Sequence, residues 1–95
     1  MEPDRGKALE GIQRTLKSLL FTETEVFYFH LQNLGVGRDE ILDKPEQFVR
    51  TIHDIFGKGS PLVEQTIISE ISKELSVDPK DDLVEMIKSL RKGEK

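Results

Sequence analysis

The run Phe56-Gly57-Lys58-Gly59-Ser60-Pro61 tells one helix to stop and another to start within a few residues. Gly57 suits the left-handed position after a helix, Ser60 can cap the next helix, and Pro61 fits a first turn, where a missing N–H costs nothing. The segments on both sides are apolar at helical spacing. The corner therefore packs two core helices against each other and predicts an all-helical domain.

Periodicity and punctuation set out five helices, the two at this corner and three more. Leu9, Ile12, Leu16, Leu19 and Leu20 recur every three or four residues and predict an amphipathic helix from about Arg5 to Leu20. Thr22 and Glu25 have the spacing of a capping box, which predicts a second helix carrying Val26, Phe27, Phe29 and Leu31 and stopping at Gly35. After a connection with a short helical turn holding Ile41 and Leu42, Pro45 opens a third helix with Phe48, Val49, Ile52, Ile55 and Phe56 on one face. The fourth runs from Pro61 to about Leu75 with Leu62, Val63, Ile67, Ile68 and Ile71. Asp78-Pro79 predicts the start of a fifth, with Leu83, Val84, Ile87 and Leu90 inward. The expected fold is a single all-α orthogonal bundle of about five short helices over residues 1–95, with fraying ends at 1–4 and 93–95.

Composition narrows the chemistry. The 95 residues hold one modest core and no second domain. The chain has no cysteine, which removes thiolate nucleophiles, disulfides and Cys-based metal sites. A net charge of −4, with nine acids in each half against six and eight bases, gives neither a basic domain nor an acidic tail. No apolar run reaches the ~20 residues of a membrane span, and the N-terminus lacks a signal-peptide pattern, so a cytoplasmic location is expected.

The motifs that resemble chemistry each have a plainer reading. Lys58, Gly59 and Ser60 make a weak candidate for anion binding, but the Walker spacing is absent and Pro61 removes an amide donor. His30 and His53 lack ligand spacing, so no metal is expected. Asp78, Asp81, Asp82 and Glu85 sit where a helix N-terminus favours acids. Leu34 to Ile41 resembles the turn of a helix-turn-helix reader, yet Asp39, Glu40 and Asp43 oppose Arg38 and Lys44 there. Arg5, Lys7, Arg14 and Lys17 form the main basic face.

Phe21, Tyr28 and Phe29 exceed what one helix face buries in so small a domain and are the candidate protein-interaction residues. Without a catalytic constellation, no cofactor and no enzymatic activity are expected. The expectation is a protein partner or a homodimer, with nucleic-acid binding as the alternative and no membrane contact.

The pattern Pro45…Phe48…Ile52…Phe56-Gly57-Lys58-Gly59-Ser60…Val63-Glu64…Ile67-Ile68…Ile71…Leu75, preceded by Val26-Phe27-Tyr28-Phe29-His30-Leu31, resembles a small all-helical archaeal domain family of uncharacterised function. Its members include the Nitrosopumilus output domain type. The resemblance covers roughly residues 8–76 and implies an archaeal, cytoplasmic, non-enzymatic module for signalling output or protein interaction. It supplies no catalytic residues.

Overall fold

Side chains at four-residue spacing set the first helix. In the computed structural model, which describes residues 5–91, α1 (Arg5–Leu20) buries Ala8, Ile12, Leu16 and Leu20 along one edge, with Gly11 and Thr15 beside them. Leu19 falls outside this stripe and is exposed. α4 (Ser60–Leu75) lies alongside in the opposite direction, with Arg14 bonded to Glu74 at 2.7 Å and Ser18 and Leu19 beside Thr66. α1 and α4 form the largest helix–helix interface of the molecule.

Between them α2 (Thr24–Asn33), α3 (Pro45–Phe56) and α5 (Leu83–Arg91) complete an all-α bundle, with no strand among the described residues. α3 touches α2, α4 and α5, and α4 touches α1, α3 and α5. One core joins all five helices: Phe27, Phe48, Ile52, Ile67, Ile71 and Met86 are among its fully enclosed side chains. Ile55 and Phe56, expected in this core, are only partly buried. On α5, Met86 rather than Val84 completes the inward row with Leu83, Ile87 and Leu90.

The punctuation residues behave as their backbone demands, with three corrections. Gly35 has φ +83° and closes α2: its amide donates to the Gln32 carbonyl and that of Val36 to the Leu31 carbonyl, while Leu31 and Val36 are buried together. Gly57 has φ +55° and ψ −121°, a conformation that strains any residue with a Cβ, and its N–H donates to the His53 carbonyl.

Ser60 is not the cap of α4. It is the first helical residue, Pro61 the second, and the 3-10 turn Gly57–Gly59 makes the connection. The Thr22–Glu25 capping box does not form either. The chain passes from α1 into α2 through a 3-10 turn at Phe21–Glu23, in which the Thr24 amide already donates to the Phe21 carbonyl. That leaves Glu25 to pair elsewhere. Finally, α5 starts at Leu83 instead of near Pro79, because the Asp82 carboxylate accepts from the Glu85 amide at 3.2 Å and so caps the helix in place of Asp78. The ends expected to fray, 1–4 and 93–95, lie outside the described residues.

Candidate functional site

α2 has more apolar side chains than its inner face can cover. Phe27, Tyr28 and Leu31 turn inward, which leaves Val26 and Phe29, three residues apart, on the outer face. Phe29 is 63% exposed and Val26 45%. At the corner before α2, Phe21 takes φ +51° and is 76% exposed. A bulky side chain in the left-handed region is a backbone outlier. The Thr24 hydroxyl, donating to the Phe21 carbonyl at 2.6 Å, ties down the turn that imposes it.

Tyr28, grouped with these two by the sequence, departs from them. Only 8% of it is exposed, and its ring meets Phe27 edge-to-face at 5.9 Å. The Arg38 guanidinium covers the ring, 4.1 Å from its centroid, and Arg38 Nη2 donates to Glu25 Oε1 at 2.9 Å. Burial raises the Tyr28 phenol pKa; Arg38 works against that shift, and Glu25 and Asp39 add to it. The hydrogen bond to Glu25 is the first reason that the Arg38 pKa is raised in turn.

Arg38 is held in place by its own loop. The Gly37 amide donates to Glu40 Oε1 at 2.7 Å, the Glu40 amide returns a bond to the Gly37 carbonyl, and Gln13 Nε2 on α1 donates to the Arg38 carbonyl at 2.9 Å. The guanidinium therefore stands as a ridge between two grooves. One, of about 440 Å³, is completed by Phe29, Gln32, Val36 and Gly37. The other, of about 460 Å³, is completed by Gln13, Lys17, Phe21, Thr22 and Thr24. Glu25, Tyr28 and Arg38 line both. Each groove has the volume of a small binding site, and each is lined in part by an exposed phenylalanine.

The Arg38–Tyr28–Glu25 arrangement is not legible as a local motif, since Arg38 lies ten residues beyond Tyr28 and thirteen beyond Glu25. The available signal was the pair Gly35 and Gly37, which folds the chain back onto α2.

The other candidates are not drawn together. Lys58 and Gly59 are exposed, but Ser60 is buried, so its hydroxyl does not join them in an anion cradle. His30 is exposed on α2, whereas His53 Nε2 lies 2.7 Å from Glu64 Oε2 between α3 and α4. Among the described residues no group of three His, Asp or Glu side chains is placed to hold a metal ion. On the basic face of α1, Arg5 pairs with Asp43 at 3.1 Å and Arg14 with Glu74. No helix among the described residues is long and apolar enough to cross a membrane. No protein-family model, curated protein or solved structure matches the chain.

Proposed function

We propose that this chain is a non-catalytic protein-docking module of the cytoplasm, in line with the output or interaction role implied by its resemblance to the archaeal helical family. The surface it uses runs from Phe21 across Arg38 and Tyr28 to Phe29. The observation that carries this reading is the exposure of two phenylalanines that line two adjoining grooves, one of them with a left-handed backbone. Exposed aromatic side chains beside a recess are the usual anchors of protein interfaces.

Nucleic-acid binding draws less support. Arg5, Arg14 and Arg38 are each bonded to a carboxylate, which leaves fewer cations for a phosphate backbone.

Light scattering coupled to size exclusion tests the proposal, on wild type and on the double variant F21S/F29S, alone and after passage through native lysate. A self-assembled or mixed complex formed by wild type and lost by the variant, with the helical circular dichroism of both unchanged, is the expected result. Identical behaviour of the two proteins would overturn it.

A further inference from the structure

The corner between α1 and α2 is built unlike the others. Each later connection carries a glycine or a proline: Gly35 and Gly37 before α3, Gly57 and Gly59 before α4, and Pro79 before α5. Phe21-Thr22-Glu23 has neither, and a helix accepts all three residue types. The backbone on both sides is already helical, with φ −101° and ψ −23° at Leu20 and φ −58° and ψ −42° at Thr24. Within this corner Phe21 alone takes a positive φ, +51°. None of the three residues is buried, so core packing does not enforce the strained conformation. A short connection under strain, with no helix breaker in it, is where an element exchanges between two copies of a chain.

We propose that Phe21 is the hinge of a domain swap: when its φ turns negative, residues 5–33 become one helix and α1 packs on α4 of a second copy. Three observations fit this. At 3.6 residues per turn, the buried Leu16, Leu20, Phe27 and Leu31 fall within about 60° of one another on a continuous helix, so the inward stripe runs unbroken through the hinge. Such a helix is about 43 Å long, more than the 35 Å of the molecule's longest axis, so straightening carries α1 off its own α4. And α1 is held to the rest of the chain mainly by α4, by Arg5 to Asp43, by Gln13 to the Arg38 carbonyl and by Arg14 to Glu74, with α2 a minor neighbour. The α1 of a second copy remakes every one of these contacts, and the strain at Phe21 is released. The groove beside Phe21 then takes Gln13 and Lys17 from the second copy.

The chain has no cysteine, so an introduced pair reports which α4 each α1 lies on. A Cβ added at Gly11 stands 4.0 Å from Glu74 Cγ, which puts G11C/E74C within reach of a disulfide. Wild type, incubated at high concentration near its unfolding midpoint and returned to native conditions, is expected to separate into monomer and dimer on size exclusion. Oxidised G11C/E74C is expected to run on a denaturing gel as one chain from the monomer peak and as two joined chains from the dimer peak. F21G, which removes the strain and disfavours the straight helix, is expected to raise the dimer dissociation constant by about tenfold or more. F21V, whose branched side chain tolerates a positive φ least, is expected to lower it several-fold. F21A keeps the strain without the ring and is expected to dimerise no more weakly than wild type.

The swap stands apart from the docking reading, because F21S/F29S also keeps a Cβ at the hinge and is expected to form the same swapped dimer. A dimer lost by F21A and by F21S/F29S is held by the aromatic patch and would overturn the hinge. So would a dimer whose G11C/E74C bonds stay within single chains, a dimer tightened by F21G, or wild type and F21V that both stay monomeric at the highest soluble concentration. If G11C/E74C does not fold, the order of the three Phe21 variants decides alone: strongest for F21V and weakest for F21G supports the hinge, and any other order overturns it.

Discussion

Phe21 combines two features that a monomer has no reason to keep together, an exposed aromatic ring and a positive φ. The left-handed conformation costs a residue with a Cβ about 1–2 kcal/mol, and glycine avoids most of that. Phe21→Gly is therefore expected to stabilise the folded chain by about 0.5–1 kcal/mol in urea denaturation. Phe21→Ala, which keeps the Cβ, is expected to stay within about 0.5 kcal/mol of wild type. If the glycine variant gains stability and loses its partner, the strain belongs to binding rather than to folding.

Tyr28 gives a second test at the same scale. Burial raises its pKa above the ordinary tyrosine value, so the folded state favours the neutral phenol. The stabilisation from keeping that phenol neutral is complete below the unfolded-state pKa of about 10 and is lost as pH rises through the higher folded-state value. Wild type is thus expected to lose stability relative to Tyr28→Phe as pH rises through the ordinary tyrosine value of about 10 and above it. Phenolate absorbance, arising from this one tyrosine, is expected to show a midpoint above that of a free tyrosine. Arg38→Ala should move the midpoint higher still, because the guanidinium works in the opposite direction to burial.

At the scale of elements, the start of α5 shows how local signals compete. Asp78-Pro79 reads as the helix opening. It is not used, because Asp82 places its carboxylate on the Glu85 amide while Leu83, Met86, Ile87 and Leu90 reach the core together. Asp82→Ala is expected to cost about 1 kcal/mol, the usual loss for an N-cap, and Asp78→Ala close to nothing. Chemical denaturation of the two variants side by side checks this; equal losses would place the cap at neither residue alone. The corner at Thr22 repeats the lesson. Its residue types fit a capping box, but Thr22 lies inside a 3-10 turn, closed by the Thr24 amide donating to the Phe21 carbonyl, and is not a helix cap. Cap residues narrow a boundary to a few positions, and packing selects among them.

Taken as a whole molecule, the chain relies on one small core. A 95-residue domain has about 5–14 kcal/mol of stability in total. Phe48 is fully buried and meets Phe27 edge-to-face at 5.9 Å, so Phe48→Ala is expected to remove about 3–5 kcal/mol. That is a large share of the whole, and the variant should show a much lower urea midpoint by far-ultraviolet circular dichroism. Retention of the wild-type midpoint would mean that the core around Phe27 and Phe48 does not carry the fold.

The number and order of the helices were legible in the sequence because they follow from short-range physics. Apolar residues at three- and four-residue spacing, with Gly35, Pro45, Gly57 and Pro61 between them, need no distant partner to take effect. The surplus of aromatic residues near the second helix was legible for the same reason. Which of them would be left outside was not. Phe27 and Tyr28 turn inward because α3 and the loop carrying Arg38 meet that side of α2, and Phe29 and Phe21 remain exposed because nothing among the described residues covers the other. The bridge from Glu25 to Arg38, its position over Tyr28 and the grooves on either side also exist only once Gly35 and Gly37 have returned the chain to α2. Local periodicity determines what each segment becomes; the order of packing around a shared core decides which side chains remain for a partner.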